Sequence, residues 1–300
     1  MKDRKKVTTG STFVTVILLL FCIIWILPTL GIFVTSFRNA DAASSTGWWT
    51  ALKSLKDFTL DNYDQVLFGQ RFSVGSAEGT KVVRSATMAS AFLSSIAVTL
   101  PSVIIPIFIA AAAAYGFAWL KFKGKSVLFA LIIALLVVPL QIALIPILKD
   151  YQNLGLNGTY MGMWLAHTGF GLPLATYMMF NYISNLDRSI LESAFIDGAS
   201  HFATFTRIIV PLSVPVIASF AIFQFIWVWN DMLVSLVFLS GAGQKAEVVT
   251  VRLMNMAGTR GTDWHLLTAG AFVSMVLPLG VFLGLQKFFV RGLLAGSVKG

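Results

Sequence analysis

Leu191-Glu192-Ser193-Ala194-Phe195-Ile196-Asp197-Gly198-Ala199, running on to Ile208-Ile209-Val210-Pro211, is a polar interruption in a strongly hydrophobic chain. Two acids, a glycine and apolar residues at helical spacing are more than a plain connector between membrane spans requires. They make sense as a handle that another protein grips, and that reading turns on which side of a membrane the segment lies.

The surrounding 300 residues are 57% hydrophobic and 12% charged, with a mean hydropathy of +0.81. Soluble domains carry about 25% charged residues, so the chain is read as membrane spans and loops. The single cysteine, Cys22, excludes an intramolecular disulfide and leaves the redox compartment open. The net charge of +9 is carried by residues that flank apolar segments. That placement points to the lipid bilayer and its anionic headgroups as partner, and away from nucleic acid. Met1-Lys2-Asp3-Arg4-Lys5-Lys6 has the basic character of a signal peptide. The apolar stretch from Phe13 to Phe37 is too long for one and lacks a small-residue cleavage site, so it reads as a retained first span.

A bilayer core needs about 20 apolar residues in helical form. Six segments qualify: 12–37, 86–120, 126–148, 159–183, 211–240 and 266–289. Strand-period alternation is absent from them, which argues against a barrel. The second is uncharged from Ser85 to Leu120. At 1.5 Å per residue that run is about 54 Å, too long for one straight span. Pro101 and Pro106 predict a kink, and part of the helix is expected to project from the membrane. Ala110 to Ala114 supply small residues for close helix approach. With the N-terminus inside, the inner segments 1–11, 121–125, 184–210 and 287–300 hold twelve Lys/Arg and four Asp/Glu, and the outer side holds ten and nine. The short Lys121-Phe122-Lys123-Gly124-Lys125 loop carries most weight, because the positive-inside rule is weak for long loops. The expectation is an all-α membrane protein of six transmembrane helices, N-in and C-in, with the Glu192 loop cytoplasmic.

Three parts follow: residues 1–85 with the basic start, first span and outer loop; a core at 86–290 containing the loop 186–211; and a cytoplasmic tail at 291–300. In the outer loop, Trp48-Trp49 reads as an interfacial anchor or as a contact for an extracytoplasmic partner. The second outer loop, 241–265, is rich in glycine and reads as a mobile finger or a passive connector.

Within 186–211, Ser189 and Glu192 fit a capping box. Leu191, Ala194, Phe195, Gly198 and Phe202 then fall on one face of a helix. Gly198 costs about 1 kcal/mol in a helix interior, so it marks a turn between two short helices or a close backbone contact. Ser200 can cap a second helix carrying Phe202, Phe205 and Ile208, and Pro211 suits the first turn of the next span. An amphipathic helix lying on the membrane is the other reading. Such helices usually carry Lys/Arg on the polar face, whereas this one presents Glu192 and Asp197.

Glu192-Ser193-Ala194, Asp197-Gly198-Ala199, Phe205, Ile208, Pro211 and Pro215 resemble the cytoplasmic "EAA" loop of binding-protein-dependent ABC importer permeases. The spacing EAAxxDGA of the sugar-permease branch fits without a gap. Ser193 stands for the usual second-position alanine, and Val210 for the leucine before proline. Trp229-Asn230-Asp231, the ending Val290-Arg291-Gly292-Leu293 to Gly300, and Asp61-Asn62-Tyr63 are similar to the same branch, and Trp48-Trp49 to its maltose and α-glucoside group. The resemblance spans residue 58 to the end. It implies a type I ABC importer transmembrane domain in a prokaryotic inner membrane, importing a carbohydrate such as an α-glucoside. The implied partners are a homologous second permease, two cytoplasmic ABC ATPase subunits and an extracytoplasmic sugar-binding protein.

The resemblance also implies that the loop is a coupling helix docked in an ATPase cleft. Its contact set would be Leu191, Glu192, Ser193, Ala194, Phe195, Asp197, Gly198, Ala199, Phe205 and Pro211. Leu191, Ala194 and Phe195 are expected to enter the cleft, with Glu192 pairing a basic group there. The chain has no Gly-x-x-x-x-Gly-Lys-Ser/Thr loop. ATP and Mg are therefore expected on the partner ATPase subunits, with no cofactor and no catalytic residue on this chain.

Asp231 is the one acid inside an apolar run. It lies about 30 Å along a helix from Pro211, at the outer interface, where capping or substrate contact are both open. Gln141, Asn181, Gln224, Asn230 and Asp231 are the candidates for a sugar path, and interhelical hydrogen bonds explain them equally well. His167, His201 and His265 sit far apart in the chain without metal-ligand spacing. A membrane-embedded lipid-modifying enzyme would need clustered ionisable residues inside the bilayer, which are missing. An ion-driven secondary transporter would show inverted repeats and midplane charges, and neither is evident.

Overall fold

In hydrocarbon every backbone N–H and C=O must be paired within its own segment, and apolar runs therefore become helices. The structure, a computed structural model, describes residues 9–69, 71–76, 79–84, 87–256 and 263–295. The basic start before Thr9 and the tail after Ala295 lie outside the described residues. In chain order the helices begin with α1 (Thr9–Ser36), α2 (Ala40–Ser45) and α3 (Asp61–Phe68). A hairpin of β1 (Arg71–Ser76) and β2 (Gly79–Arg84) follows. Then come α4 (Met88–Trp119), α5 (Lys125–Ala134), α6 (Leu140–Asn153), α7 (Tyr160–Ile183), α8 (Arg188–Ile196) and α9 (His201–Thr204). The chain continues through α10 (Val210–Leu212), α11 (Val214–Trp229), α12 (Leu233–Phe238), α13 (Val249–Met256) and α14 (Trp264–Ala295).

Among the described residues three helices are long and apolar enough to cross a bilayer: Phe13–Ser36 of α1, Met88–Trp119, and Trp264–Lys287 of α14. α4 runs unbroken through Pro101 and Pro106. Its 32 residues measure about 48 Å, more than the ~30 Å hydrocarbon core, so part of it extends beyond the core. α7 has 24 residues and matches the fourth predicted span.

Two predicted spans are not continuous helices. The segment 126–148 breaks at Val138, where α5 and α6 meet at 103°. Pro139 lacks an N–H and pushes the residue before it into extended backbone, and Val138 has φ −71° and ψ 118°. The segment 211–240 also breaks: α11 ends at Trp229, and α12 starts only at Leu233. Its entry bends by 70° between His201–Leu212 and Val214–Trp229.

The chain forms two compact units, Met1–Met88 with Leu253–Val273, and Ala89–Arg252 with Ser274–Gly300. In the first, Asp61-Asn62-Tyr63 acquires a structural meaning. The Asn62 amide donates to the carbonyls of Ser36 (2.9 Å) and Arg38 (2.8 Å), closing the C-terminal end of α1. Tyr63 Oη lies 2.7 Å from Ser36 Oγ. Arg38 is buried and its guanidinium donates to Thr46 at both the carbonyl and the hydroxyl. Trp48 lies on α1 at Gly31, where a Cβ would come within 2.7 Å of its indole nitrogen. Trp49 stays exposed. The antiparallel β1–β2 hairpin, register Phe72↔Val83 and Val74↔Lys81, was not foreseen in the outer loop. Asn62→Ala strands two carbonyls at a cost of about 1–3 kcal/mol. It is expected to lower the thermal unfolding midpoint of the detergent-purified protein, read by intrinsic fluorescence.

In the second unit the alanines of α4 do what small residues allow. Ala110, Ala111 and Ala114 are buried against Ala175, Met179 and Ile183 of α7 and Phe220 of α11. A second cluster joins Val98, Leu144, Met163, Val228, Val234 and Phe238. Gly171 permits the tightest approach: a Cβ there would lie 2.6 Å from the Gln224 amide. Segment 240–256 is no free finger. Val248 and Val249 are buried, the Val249 N–H donates to Ser95 Oγ at 2.8 Å, and Thr250 Oγ1 donates to the Asp231 carbonyl at 2.7 Å. Its remaining part, 257–262, lies outside the described residues.

Candidate functional site

The segment from Asp187 to Ser213 is assembled by its caps. Asp187 Oδ1 accepts from the Ser189 N–H at 3.0 Å and caps α8. The predicted capping box is therefore displaced: Ser189 is the second helical residue, and an anionic side chain takes the cap. A carboxylate also favours the positive end of the helix, so it outcompetes a hydroxyl. The Ser189 backbone and side-chain bonds hold the Asp187 carboxyl below its ordinary 3.8. This stabilisation is present above that value and lost as the pH falls below it.

α8 ends in a Schellman turn. The Gly198 N–H donates to the Phe195 carbonyl (3.0 Å) and the Ala199 N–H to the Ala194 carbonyl (2.9 Å), with Gly198 at φ +81°. Of the two roles open for Gly198, the turn is the one realised within the chain, since a Cβ there would meet nothing within 4 Å. Ser200 Oγ then accepts from the Ala203 N–H at 3.2 Å and caps α9. Residues Phe205–Ile209 form a π-turn in which the Val210 N–H reaches back to the Phe205 carbonyl. Pro211 has no N–H for the ordinary ladder and its ring crowds the carbonyl four residues earlier, which accounts for the slip. Pro211 thus sits in α10 before the 70° bend, and Pro215 occupies the first turn of α11, the place expected for Pro211.

The faces differ from expectation. Leu191 (2% exposed) and Ala194 (7%) are buried, and Leu191 belongs to the buried cluster that also contains Ala114, Tyr115, Met179, Ile209 and Phe220. Both residues were expected to enter a partner's cleft, but they serve the chain's own core. Phe205 also packs inward, against Tyr115 at a ring distance of 5.4 Å. The side chains left outward are Glu192, Ser193, Phe195 (40% exposed), Ile196 (84%), Asp197 and Phe202 (77%). The expected stripe is split: Leu191 and Ala194 turn inward, while Phe195, Gly198 and Phe202 stay exposed, joined there by Ile196.

The five sugar-path candidates are not brought to one cavity. Gln141 and Asn181 are exposed. Asn230 bonds to the Ile226 carbonyl of its own helix at 2.8 Å. Gln224 is buried, and its amide donates to the carbonyls of Ser102 and His167, both at 3.2 Å, as an interhelical clamp. Asp231 accepts from the N–H groups of Val234 (3.4 Å) and Ser235 (3.2 Å), capping the short helix after the break. Its Oδ2 lies 3.9 Å from Nε2 of the fully buried His167. What the sequence did not reveal is a cleft of about 750 Å³ at the bend between α5 and α6. Its walls include Leu136, Phe170 and Trp227, with Asp150 and Tyr151 at its polar part. The only forewarning was Pro139, whose break opens it.

Residues 102–294 match the family described as "Binding-protein-dependent transport system inner membrane component". The chain belongs to this family. It is 52% identical over 285 residues to the osmoprotective compounds uptake permease protein GgtD of Synechocystis sp., covering 94% of this chain and 90% of that protein. It is 41% identical to the alpha-glucoside transport system permease protein AglG of Rhizobium meliloti, covering 99% of each. Its fold resembles a chain of a bacterial ABC transporter that imports the acidic polysaccharide alginate, with a TM-score of 0.72 at 18% identity over 96% of this chain and 99% of that one. As a permease of this family it is an inner-membrane subunit without an ATPase site of its own.

Proposed function

We propose that this permease carries a carbohydrate of the α-glucoside class across the inner membrane, in a complex driven by ATP on separate subunits. The observation that carries the coupling part is the exposed run Phe195, Ile196 and Phe202, flanked by Glu192 and Asp197. Large apolar side chains left outward beside carboxylates fit a protein cleft with basic groups at its rim. The partners are a homologous second permease, two ABC ATPase subunits that hold ATP and Mg, and an extracytoplasmic sugar-binding protein. The permease itself holds no cofactor. The Lys/Arg distribution supports a cytoplasmic position for 188–212, in a topology with both termini inside and six crossings.

The substrate class rests on the name of the alpha-glucoside relative and on the cleft at the α5–α6 bend. A sugar ring offers apolar C–H faces and hydroxyl edges. Trp227, Phe170, Tyr151 and Asp150 supply rings for the former and acceptors or donors for the latter. The test is reconstitution with the co-purified ATPase and binding protein, followed by uptake of labelled maltose and trehalose. ATP-dependent uptake of either is expected; uptake of neither overturns the carbohydrate reading. A purified chain that brings down no ATPase overturns the coupling reading.

A further inference from the structure

The coupling segment meets the membrane-spanning helices mostly through apolar contacts. At its far end the Tyr182 hydroxyl of α7 donates to the Leu212 carbonyl at 3.1 Å, and a second polar contact reaches α4. Tyr115, on the last turn but one of α4, is 6% exposed. Its hydroxyl lies 2.9 Å from Nδ1 of His201, the first residue of α9. Among the described residues this is the only hydrogen bond between α4 and the segment 188–212. Two neighbouring rings hold the pair: His201 stands edge-to-face with Phe195 at 4.9 Å, and Phe205 packs on Tyr115 at 5.4 Å. The histidine therefore ties together α8, α9 and α4.

We infer that the Tyr115–His201 bond is a positioning latch that transmits movement of the coupling segment into α4. This rests on the reading of 188–212 as the ATPase-docking segment. Apolar packing has no direction, and the buried cluster that holds Leu191 and Ile209 of the segment takes from α4, besides Tyr115, only Ala110, Ala111 and Ala114 as buried members. A hydrogen bond is directional and weakens steeply away from its geometry, so it fixes register where methyl groups do not. The segment also contains two compliant points, the π-turn at Phe205–Ile209 and the 70° bend before Val214. Without the latch, displacement of α8 and α9 is absorbed at those points. With it, α4 is carried along.

Tyr115→Phe removes the hydroxyl and keeps the ring in its pocket. In the complete reconstituted complex with binding protein, the ratio of labelled maltose or trehalose transported to ATP hydrolysed is expected to fall about fivefold, the equivalent of one neutral hydrogen bond. His201→Phe is expected to lower the ratio similarly, and the double variant to fall no further than either single one. A purely structural role lowers the amount of complex and both activities together, leaving the ratio constant; that result overturns the latch. Additive losses in the double variant overturn it as well. A second readout is independent of the sugar. In a Cys22→Ser background, the variant Leu100→Cys on α4 is expected to change its maleimide labelling when ATP and vanadate trap the complex. Tyr115→Phe abolishes that change while trapping persists; an unchanged response overturns the latch even if neither sugar is a substrate.

Discussion

Gly198→Leu is expected to abolish sugar uptake while the chain still inserts in the membrane. The φ of +81° at this position is left-handed backbone, which costs an L-residue with a bulky side chain about 1–2 kcal/mol. The space around it is open, so the penalty is conformational and not steric. The helix pair relieves the strain by unwinding the Schellman turn, which releases the two bonds from Gly198 and Ala199 and changes the angle between α8 and α9. Phe195, Ile196 and Phe202 then no longer present one surface. Gly198→Asn, which tolerates the left-handed region, is expected to retain part of the uptake. ATP-dependent uptake by each variant, normalised to membrane-inserted protein, checks the result. Full activity in Gly198→Leu would mean that the turn does not set the coupling geometry.

Gly171→Leu is expected to have the larger effect on the amount of folded protein. The Gln224 amide that a Cβ would meet at 2.6 Å cannot simply move aside, because it bonds to two carbonyls from different helices. Overpacking costs about 1–3 kcal/mol, and each buried polar group left unpaired about 1–3 kcal/mol more. A total of this size exceeds what a single surface change produces and takes a large part of a typical folding margin. Adding Gln224→Ala frees the space but removes the clamp between the Ser102 and His167 carbonyls, so recovery is expected to be partial. Size-exclusion profiles of the detergent-purified single and double variants measure this. Identical yields of Gly171→Leu and the parent would contradict the packing described.

The length of the apolar runs was the most legible property: four of the six segments lie in single helices and two are broken. The breaks were less legible. Pro101 and Pro106 lie in an unbroken helix, while Pro139 produces a sharp turn; all three lack the same N–H, and the difference is what the neighbouring helices do with the freed carbonyls. Leu191 and Ala194 were visible as part of an apolar stripe. A stripe alone does not say whether it faces its own core or a partner, because both are apolar environments. What separates them is the chain's own tertiary packing, which takes in Leu191 and Phe205 and leaves Ile196 and Phe202 outward. Ser189 matched a capping box by spacing, but a carboxylate two residues earlier was the better acceptor. Asp231 was legible as a special acid, and its capping of α12 depended on a helix break that the continuous apolar run concealed. The hairpin at 71–84 escaped notice because its strands are short and sit in a polar loop, where alternation over six residues carries little signal.

The central claim is that the outward face of 192–202 docks into an ATPase subunit while Leu191 and Ala194 stay in the permease core. Photo-cross-linking in cells that co-express the ATPase tests it most directly. A benzoylphenylalanine placed at Ile196 or Phe202 is predicted to link to the ATPase, and one placed at Leu191 to give no such product. Linkage from Leu191, or none from Ile196 and Phe202 in a complex that still transports, would contradict it.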